Sequence, residues 1–276
     1  MSRLWRDRLL VSLAPGWVAL ARVAGALRAR IVAKQALDCD PDFGAEPWHG
    51  AAATLAAAIE PLRRERMNVT VVLSNEFVRY AIVPFDSAVA GQEEELALAR
   101  FHFTKLHGER ARGWDLRMSE GPRGAPRLAS AVDTELIGAV RACFPRGGAL
   151  RLVSVQPYLM SAFNLWRRAM AEDSWLLLVE PRRACLALVG DRKWRAVHAS
   201  RGEFPEAEDW AVLLDRQRLR TDAAPAGNTV LVHAPAGSGS MNAETHGWKF
   251  RGLALPVLEG FLPLEDGRYT MALTAR

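Results

Sequence analysis

Lysine and cysteine are both scarce in this chain. Of 36 basic residues only Lys34, Lys105, Lys193 and Lys249 are lysine, which leaves 32 arginines, and there are three cysteines in 276 residues. Cys39, Cys143 and Cys185 are odd in number, far apart and form no CxxC pair, and the six histidines do not cluster with them. That pattern excludes a disulfide framework and a structural zinc site. It points to a reducing cytoplasm, with each thiol serving as a small core hydrophobe. Long apolar runs are missing as well: Trp175–Val179 and Ala51–Ile59 are too short or too amphipathic to cross a bilayer. Residues 1–8 carry charge, without the apolar region and cleavage site of a secretory signal. The expectation is a soluble chain.

The usual signatures of chemistry are absent too. No GxxxxGK[ST], no GxGxxG after a strand, no GxSxG and no HExxH occurs, so P-loop, Rossmann, hydrolase-elbow and zincin sites are unsupported. His102 and His107 are five apart and do not share a helix face. His198, His233 and His246 are scattered, and the acidic stretch 38–42 lacks the spacing of a calcium loop. No metal site is expected. The net charge of +5 is arginine spread along the chain, often beside acids, as in Arg64-Glu65-Arg66. It reads as coding bias, and no basic block or Arg/aromatic interleaving supports nucleic acid as a partner.

What is present is organisation. Half the residues are hydrophobic and 24% charged, enough to bury a core and exclude disorder for most of the chain. Alternation predicts strands at Arg8–Leu13, Trp17–Val23 and Leu27–Ala36, with Ala14-Pro15-Gly16 as the first turn. Helical spacing of Ala52, Leu55, Ile59 and Leu62 marks Trp48–Arg66, and Asn68–Leu73 reads as a buried strand. Then follow a strand at Glu76–Val83, an acid-headed helix at Gln92–Leu106, a hairpin of Gly113–Ser119 with Arg127–Val132, and a helix capped by Asp133. Leu150–Val155 is a further strand, and Pro157 opens a helix to about Ala171.

After residue 174 the opening pattern returns. Trp175–Glu180, Ala184–Val189 and Lys193–Ala199 read as strands, Ala207–Arg220 as a helix, and Thr229–Val232 and Trp248–Leu253 as strands. Tyr269–Leu273 is expected as a terminal strand. The same unit thus occurs twice without shared residue identity, which predicts an α/β fold of two mixed sheets with helices around a cleft. The expected division is 1–156 with an insertion at about 76–132, a connecting helix at 157–171, and a reduced second half at 172–276.

Two such halves resemble the actin-like ATPase superfamily, with two RNase H-like subdomains. More narrowly, the chain is similar to the pilus-assembly PilM proteins and the cytoplasmic part of the secretion protein GspL. The likeness rests on order over about Arg8–Leu253. It is carried by Val69–Pro84 (VTVVLSNEFVRYAIVP), the acidic helix Glu93–His102 followed by Trp114-Asp115, and Leu150–Trp166 (LRLVSVQPYLMSAFNLW).

In active relatives the two meander turns grip phosphates through Asp-x-Gly and small hydroxyls, and the Asp positions magnesium. Here Ser12 stands in the first Asp place, Ala14 in the Gly place, and Pro15 removes a donor before Gly16. In the second turn Glu180 keeps an acid, while Pro181, Arg182 and Arg183 replace the Gly and hydroxyl run. The Gly-rich turn under the adenosine would fall at Gly237, Ser238 and Gly239. Arg201–Asn228 leaves no room for a lid.

The resemblance therefore implies a non-catalytic scaffold of a pilus or secretion platform, cytoplasmic and peripheral to the inner membrane, with no cofactor. ATP with magnesium stays as the alternative, in an actin-like ATPase or small-molecule kinase. The implied partner is the cytoplasmic tail of a bitopic PilN-type membrane protein, bound in a groove near Glu76–Val132 or along a free strand edge. Other platform components and a homodimer are left open. GspL-like relatives carry a membrane helix after this part, so anchoring would fall to a partner or to a segment beyond Arg276. Trp5, Trp48, Trp114 and Trp166 are candidate anchors, and Leu4 and Trp5 could touch a membrane surface.

Overall fold

The computed structural model describes residues 7–25, 28–40, 44–87, 91–121, 124–170, 173–190, 193–220, 227–234, 242–263 and 265–276. Leu4, Trp5, Leu27, Asp42, Ala171, Gly237, Ser238 and Gly239 lie outside them. The chain opens with β1 (Arg8–Ala14), β2 (Trp17–Ala24) and β3 (Arg30–Asp38), the antiparallel meander that alternation and the Pro15-Gly16 turn predict. Helix α1 (His49–Ile59) stops short of the expected Arg66. Pro61 has no N–H for an α-helical bond, and Glu60–Leu62 tightens into a 3-10 turn. β4 (Met67–Leu73) then lies parallel to β1.

Next come β5 (Val78–Val83), α2 (Gln92–His107), β6 (Trp114–Met118) and β7 (Arg127–Asp133), which form a separate three-stranded sheet in the order β5-β7-β6 with α2 on it. Asp133 caps α3 (Thr134–Cys143) by accepting the Glu135 N–H at 2.8 Å. β8 (Leu150–Pro157) completes the first sheet, and α4 (Tyr158–Trp166) follows, ending well before residue 171.

The second half repeats the plan with β9 (Ser174–Glu180), β10 (Arg183–Gly190), β11 (Lys193–Arg201), α5 (Ala207–Arg220), β12 (Thr229–His233), β13 (Ala243–Thr245) and β14 (Trp248–Gly252). Strand order is β3-β2-β1-β4-β8 in the first sheet and β11-β10-β9-β12-β14-β13 in the second. In both, the first strand of the meander pairs parallel with a later strand (β1 with β4, β9 with β12), and that strand pairs parallel with one further strand (β4 with β8, β12 with β14). The short β13 extends only the second.

Both sheets are covered on two faces, which explains strands that are apolar throughout. Along β9, Trp175, Leu177 and Val179 pack with Trp210 and Leu214 of α5, while Leu176 and Leu178 face Tyr158, Leu159 and Ala162 of α4. Along β1, Leu9, Val11 and Leu13 join Leu55 of α1 and Leu136 of α3, and Leu10 turns to the opposite face. Ala14, Leu128 and Leu176, one from each sheet, share a cluster with α4, so that helix sits where the three sheets meet.

Residues 269–273 are not a strand. Thr270–Leu273 form α6 after a 3-10 turn at Gly267–Tyr269. A helical turn points successive side chains in different directions, so Ala272 and Leu273 reach Leu10 while Met271 reaches the cluster around α4. A strand would offer only two faces. The division at 172 also needs amending at its far end, because Leu258, Tyr269, Ala272 and Leu273 pack on the first sheet. The segment is pinned there by a Lys34–Asp266 ion pair at 2.6 Å and by a bridge between Arg30 and Glu259.

Candidate functional site

The carboxyl ends of β4 and β9 converge on a buried polar junction. Glu180 ends β9 and is 6% exposed. Its carboxylate accepts the Ser74 hydroxyl and the Asn75 backbone N–H, the latter at 3.0 Å. Asn75 Oδ1 in turn accepts the Tyr80 hydroxyl at 2.7 Å and the Leu159 N–H at 3.2 Å. One asparagine thereby ties the first sheet, the inserted sheet and α4 together, and Glu180 adds the second sheet. Burial pushes the Glu180 carboxyl up to about 7, although the bonds from Ser74 and Asn75 oppose the rise. Nearby, the Tyr158 hydroxyl and His233 Nδ1 are hydrogen-bonded, and burial pushes His233 down to about 3.

The other sequence-predicted residues are dispersed. Ser12 is fully buried on β1, and its Oγ accepts the Ala272 N–H at 2.8 Å, so it serves α6. Gly16 is exposed in the β1–β2 turn, where an added Cβ would meet nothing within 4 Å. Arg182 is exposed, and its carbonyl accepts the Gly202 N–H at 3.1 Å. Arg183 begins β10 only 5% exposed, and its Nε has no hydrogen-bond partner. These turns do not fit the phosphates of a magnesium nucleotide. Pro15 and Pro181 offer no N–H, the Glu180 carboxylate is already engaged across the junction, and the Ser12 hydroxyl is held by α6.

One hollow adjoins the junction, and a second lies on the inserted sheet. A cavity of about 380 Å³ lies where β5 meets β10 and β11, and Arg79, Arg183, Arg201, His107 and His198 line it. A larger groove of about 920 Å³ runs along the inserted sheet between the start of α2 and β6. Phe85, Leu96, Leu98, Leu116 and Met118 give it an apolar floor, and Arg127 and Glu95 pair across it at 2.8 Å. Phe85 is 55% exposed. β6 pairs only with β7 among the described residues, so its outer edge carries backbone donors and acceptors with no strand beside them. Sequence reading missed Ser74, Asn75, Tyr80, Arg79 and Arg201. The Ser74-Asn75 pair after an apolar strand is the one local signal that marked a polar end.

The architecture defines the class: the chain has the actin-like ATPase fold, with a small α+β unit inserted in its first half. It is similar to the cytoplasmic domain of EpsL, an inner-membrane component of the type II secretion system of Vibrio cholerae. The identity is 12%, over 98% of this chain and 96% of that one, with a TM-score of 0.59. It is also similar to a chain of the PilM–PilN type IV pilus biogenesis complex, 19% identical over 76% of this chain and 65% of that one, TM-score 0.52. The chain thus spans a little under two thirds of the length of that pilus protein. A Bacteroides thetaiotaomicron protein of actin-like ATPase fold and unknown function matches at 9% identity over 87% of this chain and 86% of that one, TM-score 0.56. No family model matches the sequence, and no curated protein does. Among the described residues no helix is long and apolar enough to cross a membrane.

Proposed function

We propose that this chain is a non-catalytic actin-like scaffold of a type IV pilus or type II secretion platform, on the cytoplasmic side of the inner membrane. It receives the cytoplasmic tail of a bitopic partner of the PilN type. The observation that carries the reading is the open groove beside the β6 edge, within a fold that matches the EpsL cytoplasmic domain over 98% of the chain. An extended tail would add its backbone to β6, and alternate side chains would drop toward Phe85, Leu96 and Met118. The occupied Ser12 hydroxyl and Glu180 carboxylate support a role without nucleotide turnover.

Fluorescence anisotropy with a labelled peptide of the cytoplasmic tail of a co-encoded bitopic membrane protein tests this. Saturable binding is expected, weakened about tenfold or more, roughly 1.4 kcal/mol, by Met118→Asp or Phe85→Ala. Equal binding by both variants would move the site elsewhere. Calorimetry with ATP and magnesium addresses the absence of turnover. Submillimolar binding that disappears in Glu180→Ala would replace the scaffold with an ATPase or kinase.

A further inference from the structure

The cavity between β5, β10 and β11 is distinct from the tail groove, and its charge is one-sided. Arg183 and Arg201 face each other in register on β10 and β11, an arrangement that ordinarily costs stability because like charges sit opposite. Arg79 of β5 closes the third side. Its Nη1 donates to the carbonyls of Glu76 at 3.0 Å and Val78 at 3.1 Å, which fixes the guanidinium and leaves most of its five N–H groups free.

No carboxylate lines the cavity among the described residues, and none of the three arginines forms an ion pair there. Glu76 acts on Arg79 from outside the lining. Burial and the charges of Arg183 and Arg201 together hold Arg79 below its ordinary range. His107 and His198 are likewise held down by burial, so at neutral pH they line the cavity as uncharged rings that retain donors and acceptors. Arg183 is the decisive group: it is 5% exposed, lines the cavity, and its Nε is buried without a partner. Glu180 stands opposite it in register on β9, but that carboxylate is engaged by Ser74 and Asn75 and forms no ion pair with Arg183. The complement of a buried guanidinium so placed is an oxyanion that takes two or more of its N–H bonds at once.

We propose that this cavity binds a compact, multiply charged oxyanion of the phosphate or pyrophosphate class, clamped by Arg79, Arg183 and Arg201. Its volume of about 380 Å³ is within the usual range for small-ligand sites, so the anion enters free or as the phosphoryl group of a small ester. Val78 and Val197 make part of the wall apolar. The site shares only Arg183 with the hairpin turns considered above, and it does not depend on tail binding.

Isothermal calorimetry of the full chain with inorganic pyrophosphate, at fixed ionic strength, is the test. Binding tighter than about 1 mM is expected, at least about tenfold weaker in Arg79→Gln and in Arg183→Met, and unchanged in the exposed Arg182→Gln. A nucleoside monophosphate that binds more tightly than pyrophosphate supports the esterified anion as occupant. Equal or weaker binding supports the free ion. No saturable binding at that concentration overturns the proposal, and so does equal affinity in the natural chain and Arg79→Gln.

Discussion

Glu180 carries more consequence than any other single side chain, because its carboxylate joins two sheets while buried. The unfolded chain releases this proton near the ordinary value of 4.5, whereas the folded chain holds it up to about 7. A raised folded value means the stability from protonated Glu180 is fully present below pH 4.5 and is lost as pH rises through 7. A separation of about 2.5 pH units corresponds to about 3 kcal/mol. His233 acts with the opposite sign: held near 3 when folded, it loses stability as pH falls from 6.5. Denaturant unfolding is therefore expected to show greatest stability in mildly acidic buffer. The two effects oppose each other between pH 4.5 and 6.5, so the profile is flat there and falls on either side. Glu180→Gln is expected to abolish the fall above pH 6.5 and to uncover the His233 decline, which then begins at pH 6.5. An unchanged profile in that variant would remove Glu180 as its source. None of this was legible in the sequence. Glu180 and Asn75 are 105 positions apart, Asn75 and Leu159 are 84, and Tyr158 and His233 are 75. Each residue alone reads as a polar group at the end of an apolar run.

Elements were far more legible, because periodicity is local. The two meanders, β4 and the acid-headed α2 follow from alternation and helical spacing, and the Asp133 cap from its position before an apolar run. Among the failures, α1 ends before Pro61, α4 stops at Trp166, and α6 is four residues of apolar chain that fit either structure until their neighbours are known. The inserted unit rests on one residue above others. Phe103 of α2 is fully buried against the three-stranded sheet, its ring edge-on to Trp114 at 6.1 Å between centroids. Phe103→Ala is expected to cost about 3–5 kcal/mol. The loss should appear locally, as faster amide exchange through β5, β6 and β7, with β9 and β10 keeping their protection. Equal acceleration everywhere would mean the inserted sheet unfolds only with the whole molecule.

At the scale of the whole molecule, the duplication was visible in the order of elements, but the crossing of the C-terminal segment was not. Residues 258–273 follow the second sheet in sequence and pack on the first, with Ala272 bonded to Ser12 and Asp266 to Lys34. Removing residues 258–276 is expected to bare Leu10, Ala19, Ala21 and Val23 together. Limited proteolysis should then cut first within β1–β3, while a fragment spanning β9–β14 persists. Preferential cutting of the second half would contradict this account. The crossing also bears on how the protein is made. Ser12 and the helix that covers it are 260 residues apart, so that whole intervening length must be translated before the cover exists. The first sheet leaves the ribosome with one face bare, and a chaperone that shields apolar surface has its longest engagement there. The half synthesised first is the half that matures last.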